Sequence, residues 1–66
     1  MTPLSGRDLV RLLERRGWVV TSQRGSHIKL KPPDGGRPVI VPDHKTLRTG
    51  TQRAILRQAG VSTKDL

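Results

Sequence analysis

The block from residue 18 to residue 42 restricts the fold most, because it holds three runs of β-forming residues separated by turns. The runs are Trp18–Ser22, Ser26–Lys31 and Pro38–Pro42, and the turns are Arg24-Gly25 and Pro32–Gly36. The short turn between the first two runs predicts that they pair as antiparallel strands. The prolines around the third run place it at a sheet edge, because proline cannot donate to a β-ladder.

An amphipathic helix is predicted before this block, at about residues 6–16. Ser5 and Asp8 have the spacing of an N-terminal capping box, and Gly17 provides a left-handed stop. Leucines three and four residues apart would share the inner face.

A second helix is predicted after the block. Thr49 and Gln52 have capping-box spacing, and Gly60 ends the apolar periodicity. Asp43–Arg48, which contains His44, is expected to be a polar loop. The tail Val61–Leu66 either docks through Val61 or frays.

The element order is therefore α-β-β-β-α, which predicts an α+β, two-layer sandwich with both helices on one face of a three-stranded antiparallel sheet. A chain of 66 residues allows a single domain, residues 1–66. The expected core consists of Leu9, Leu12, Leu13, Val20, Ile28, Leu30, Val39 or Val41, Ile55, Leu56 and Ala59.

Charge points to a polyanionic partner, because 13 Lys and Arg against 5 Asp and Glu give a formal charge of +8. Nucleic acid is the first candidate, an acidic protein the second and an anionic membrane surface the third. No apolar run has the length of a membrane span and no signal peptide is visible, so we expect a cytoplasmic protein.

Cofactor and metal chemistry are not expected. The chain has no cysteine, and its five carboxylates, at positions 8, 14, 34, 43 and 65, form no cluster in the sequence. Two histidines do not make a zinc site, and the glycines lack phosphate-loop spacing. Ser26 is a weak nucleophile candidate, since a hydrolase would also need a base and an oxyanion hole.

His27 is the sharpest candidate for chemistry. Alternation places Ser26, Ile28 and Leu30 on one face of the second strand, and His27, Lys29 and Lys31 on the other. An imidazole exchanges protons near neutral pH, and RNA can be cleaved without a metal because its own 2′-hydroxyl attacks the adjacent phosphorus. The other interpretation is a solvated histidine on an exposed sheet face.

The remaining cations are candidates for RNA contact. Arg24, Lys29 and Lys31 would bind or neutralise phosphate, while Gly25 and Ser26 would shape the turn that presents His27. Arg7 and Arg11 on the first helix and Arg53 and Arg57 on the second form stripes that either contact phosphate or are simply solvated. Few acids exist to pair with them. Trp18, the one aromatic residue, is either core or a base-stacking side chain.

Several motifs, taken together and in order, resemble the HicA toxins of bacterial and archaeal toxin–antitoxin systems. They are L-V-R-L-L-E-R-R-G-W at Leu9–Trp18, Q-R-G-S-H at Gln23–His27, P-V-I-V-P-D-H at Pro38–His44 and R-T-G-T-Q-R-A-I-L-R-Q-A-G at Arg48–Gly60. The position after the histidine is often polar in that family, whereas here it is Ile28, which the alternation assigns to the core.

The resemblance implies a double-stranded-RNA-binding-domain-like fold and a small ribonuclease that cleaves messenger RNA. It implies that His27 is the catalytic histidine, and that a HicB-like antitoxin binds the toxin and blocks its active surface. We therefore expect a metal-independent endoribonuclease toxin. The alternatives are a non-catalytic RNA-binding module and a structural basic protein such as a ribosomal accessory protein.

Overall fold

A computed structural model gives the fold and describes residues 4–61. The elements in chain order are α1 (Gly6–Arg15), β1 (Val19–Arg24), β2 (His27–Lys31), β3 (Val39–Pro42) and α2 (Thr49–Ala59). This order confirms the predicted α-β-β-β-α arrangement and the α+β class.

The three strands form one antiparallel sheet in the order β1-β2-β3. The predicted edge position of β3 is confirmed. Arg24 pairs with His27, so the turn consists of Gly25 and Ser26 rather than Arg24 and Gly25. Gly25 has a φ of 54°, a left-handed conformation that suits glycine. Ser26 therefore lies in the turn and not in the strand, contrary to the prediction.

Both helices pack on one face of the sheet, and a single apolar cluster fills the space between the layers. Its members are Leu9, Val10, Leu13, Trp18, Ile28, Leu30, Val39, Val41, Leu47, Ile55, Leu56 and Val61. Val39 and Val41 are both buried, since they alternate with the exposed Ile40. Leu12 and Ala59 are only partly buried at the margin of this cluster.

Val20 was expected in the core, and this prediction is wrong. The side chain remains 38% exposed. It pairs with Leu30, which is fully buried, but β1 is an edge strand with a neighbour on one side only. A residue at such an edge is covered less completely than its partner in the central strand.

The capping box of α1 is confirmed. The Asp8 backbone N–H donates to Ser5 Oγ (3.0 Å), and the Ser5 N–H donates to the Asp8 carboxylate (3.4 Å). The helix ends at Arg15 with Arg16 as its C-cap, and Gly17 follows with a φ of 92°. Gly60, at a φ of 70°, ends α2 in the same way.

The capping box predicted for α2 is wrong. Arg48 is the N-cap and makes no side-chain capping bond. Gln52 instead points inward, is 1% exposed, and accepts a hydrogen bond at Oε1 from the Leu4 backbone N–H (2.9 Å). A partly buried N–H also needs a partner, and the Gln52 side chain supplies it instead of capping α2.

The segment between β3 and α2 is less polar than predicted, because Leu47 is 2% exposed and donates its N–H to the Leu4 carbonyl. Val61 docks on the core at 7% exposure. Residues 62–66 of the predicted tail lie outside the described range. Neither helix within residues 4–61 is long and apolar enough to cross a membrane.

Candidate functional site

The sheet face opposite the helices carries the residues predicted for chemistry. Along β2, Ile28 and Leu30 are buried against the helices, whereas His27 and Lys31 are exposed and Lys29 is half-buried on the open face. The predicted alternation is confirmed for His27–Lys31, including the assignment of Ile28 to the core.

A β-bulge in β1 brings two further side chains to this face. Val20 pairs with Leu30 and Ser22 pairs with Lys29, so Thr21 is an extra residue in the ladder. Strict alternation would place Ser22 and Arg24 on the same face as Val20, toward the helices. The extra residue reverses this and places Arg24 directly across from His27.

These side chains line an open depression of about 560 Å³ on the sheet. Its lining residues are Ser22, Arg24, His27, Lys29 and Ile40. Lys29 lies at the centre, because it pairs with Ser22 on one side and with Ile40 on the other. The depression thus combines an imidazole, two cations, a hydroxyl and an apolar side chain that is 47% exposed.

The turn before His27 is tied to the far end of β3. The Asp43 backbone N–H donates to the Ser26 carbonyl (2.6 Å), and His27 pairs with Pro42 in the ladder. The Gly25-Ser26 turn is therefore held on the β1 side by the hairpin and on the other side by the segment that follows β3.

The arginine stripes lie elsewhere. Arg7 and Arg11 belong to α1, and Arg53 and Arg57 to α2, so all four are in the helical layer, and none is among the residues that line the depression. The expectation that few acids would leave the stripes unpaired is wrong for α1. Arg7 pairs with Asp43 at 3.1 Å, and Arg11 lies 3.7 Å from Asp8.

Trp18 is 7% exposed and belongs to the core cluster, which confirms the packing interpretation and excludes an exposed stacking platform.

Sequence reasoning missed Ser22, Ile40 and Asp43 as parts of the depression and the turn beside it. Ile40 could have been found, since it alternates with two buried valines. Ser22 and Asp43 had no such signal, because a bulge and a contact across 36 residues place them. His44 is exposed and is not among the residues that line the depression.

A comparison with protein families identifies the chain. The family described as the HicA toxin of bacterial toxin–antitoxin systems matches residues 6–61 of the 66. The chain belongs to the HicA toxin family. The match runs from the first residue of α1 to Val61, so it includes all five elements of the fold.

Membership in the HicA toxin family makes the chain a toxin with an antitoxin as its partner. No curated protein and no solved structure gave a match. Similarity of this HicA family fold to a double-stranded-RNA-binding domain therefore stays a prediction.

Proposed function

We propose that this HicA family member is a metal-independent endoribonuclease that cleaves messenger RNA, with His27 as its catalytic residue. The observation that supports this most is the exposed imidazole beside Arg24 and Lys29 in the open depression. A base and two cations beside each other on an accessible surface are the groups that RNA transesterification requires.

In the proposed reaction, His27 accepts the proton of the RNA 2′-hydroxyl. The 2′-oxygen forms a bond to the adjacent phosphorus as the bond from phosphorus to the 5′-oxygen breaks. The products are a 2′,3′-cyclic phosphate and a 5′-hydroxyl. Because His27 is exposed, solvent can protonate the leaving oxygen and later take the proton from the imidazolium.

The cations stabilise the charge that grows on the phosphorane oxygens. Arg24 faces His27 across the ladder, and Lys29 lies two residues along β2 on the same face. Lys31 extends the basic surface along the strand, and Gly25 and Ser26 shape the turn before the base. The Ser26 hydroxyl is a further donor for phosphate.

The four arginines of the helical layer have no part in the bond cleavage proposed here. Contacts from Arg53 and Arg57 to flanking RNA stay predictions, and so do those from Arg7 and Arg11, whose charges are already paired. The open face also suits an acidic surface of a HicB-like antitoxin, which would cover the site by charge complementarity. We place this activity in the cytoplasm, where messenger RNA is translated, and propose a role in the stress response.

Two matched substrates test the proposal. Wild-type protein is incubated in excess EDTA with an RNA, and with the same RNA carrying a single 2′-deoxy nucleotide at the mapped cleavage position. We expect cleavage of the first RNA to a 2′,3′-cyclic phosphate and no cleavage at the modified position of the second. Cleavage that stops in EDTA, or that continues at the deoxy position, would overturn the mechanism. Binding of both RNAs without cleavage would favour the non-catalytic RNA-binding module.

A further inference from the structure

Residues 42–44, at and after the end of β3, join the start of α1 to the turn before His27. Pro42 pairs with His27, and the Asp43 N–H donates to the Ser26 carbonyl. On the other side, the Gly6 N–H donates to the His44 carbonyl at 2.8 Å. Two backbone hydrogen bonds, joined through Asp43 and His44, thus connect the turn before the proposed catalytic histidine to the N-terminus of α1.

One ion pair closes this connection. Arg7 donates from Nε to Asp43 Oδ1 (3.2 Å) and from Nη2 to Asp43 Oδ2 (3.1 Å). Two parallel bonds of this kind fix the orientation of both side chains, which a single contact does not. The Asp43 side chain is 26% exposed and that of Arg7 62%, so the pair is at the surface and contributes little to global stability.

We propose that the Arg7–Asp43 pair is a positioning device for His27 and not a contact for RNA, an inference that rests on the proposed function. The same aspartate uses its carboxylate to hold α1 and its backbone N–H to hold Ser26. Because Ser26 immediately precedes His27, fixing Asp43 restrains the backbone from which the imidazole projects. Arg7 acts through Asp43 and does not touch the substrate.

Arg7→Gln removes the paired hydrogen bonds between Arg7 and Asp43 and leaves the backbone hydrogen bonds of Asp43 and His44 in place. We expect kcat to fall about tenfold, because a small misplacement of a catalytic group is costly to the chemical step. KM and RNA affinity should remain close to wild type, since the cations of the open face are unchanged. Asp43→Asn should have the same effect, and the double variant should be no slower than either single variant, because both remove one shared interaction.

The rival role for Arg7 is the phosphate contact expected from the sequence, and Asp43→Asn separates the two. If Arg7 bound phosphate, Arg7→Gln would weaken RNA binding, whereas Asp43→Asn would release the guanidinium and strengthen it. Opposite effects of the two substitutions on affinity would overturn the positioning role. A parallel loss of kcat at constant affinity is the expected result.

The restraint on Asp43 can also be measured without RNA, independently of the cleavage reaction. Hydrogen exchange of the Asp43 amide, followed by NMR, should be faster in Arg7→Gln than in the wild type, because the bond to Ser26 opens more often. Arg37→Gln and Glu14→Gln are the controls, since these exposed side chains make no ion pair or hydrogen bond within residues 4–61. Both should keep the wild-type exchange rate and kcat.

The two proposals fail in different ways. Full activity of His27→Ala would overturn the proposed function. Wild-type amide exchange and wild-type kcat in Arg7→Gln, with His27→Ala inactive, would overturn the positioning role alone.

Discussion

At the scale of single residues, Gly6 sets how closely α1 approaches the sheet. A Cβ at this position would overlap the Pro42 carbonyl oxygen and lie 3.0 Å from the Asp43 Cα. These are backbone atoms, so the clash cannot be relieved by rotating a side chain. We predict that Gly6→Ala lowers the free energy of unfolding by about 2 kcal/mol, the usual cost of overpacking a closed contact. Urea denaturation measures this change.

Gly50 is the matched control for Gly6, since it also lies near the start of a helix. A Cβ there would meet nothing within 4 Å. Gly50→Ala should raise the free energy of unfolding by about 0.5 kcal/mol, because alanine loses less backbone entropy in a helix. Equal changes in the free energy of unfolding for Gly6→Ala and Gly50→Ala would contradict the close approach of α1 to the end of β3.

Single residues also show where sequence reasoning stops. His27, Lys29 and Ile28 could be assigned to their faces, because alternation along one strand needs only local information. Gln52 could not, because its partner is the Leu4 N–H, 48 residues away. The pairing of Arg7 with Asp43 spans 36 residues and has the same character. Contacts of this kind depend on how the elements dock, which no local pattern encodes.

At the scale of elements, the turn residues predicted the three strands and the edge position of β3, but they did not predict the bulge in β1. Glycine and proline mark the boundaries of the strands, and the prolines of β3 gave its edge position. The sequence of β1, V-V-T-S-Q-R, contains no glycine to indicate an extra residue at Thr21. The positions of Ser22 and Arg24 on the open face therefore depend on the pairing register of β1 and β2, which the residues of β1 alone do not predict.

At the scale of the whole molecule, the cations proposed or predicted to contact RNA lie in two groups, within a chain of net charge +8. The open face carries Arg24, Lys29 and Lys31 near His27, whereas the helical layer carries the arginine stripes. RNA confined to the open face would meet three cations. This separation gives a quantitative expectation for how salt affects binding.

We predict that the affinity of His27→Ala protein for single-stranded RNA falls with salt at a slope of about −2 in log K against log concentration, as three phosphate contacts require. Fluorescence anisotropy over a range of KCl concentrations measures the slope. A slope of about −3.5 or steeper would mean five or more contacts. The helical layer would then bind RNA too, which would support the predicted arginine contacts and contradict binding through the open face alone.

His27 performs the chemistry in the proposed reaction, and its removal tests this role most directly. The measurement is the rate at which His27→Ala protein cleaves a defined RNA in excess EDTA, with His44→Ala as the matched control. We predict a loss of at least about 100-fold for His27→Ala, as expected for a missing general base, with unchanged RNA affinity and folding. His44→Ala should stay close to the wild-type rate, because its side chain lies outside the depression. Cleavage by His27→Ala at the wild-type rate would contradict the account.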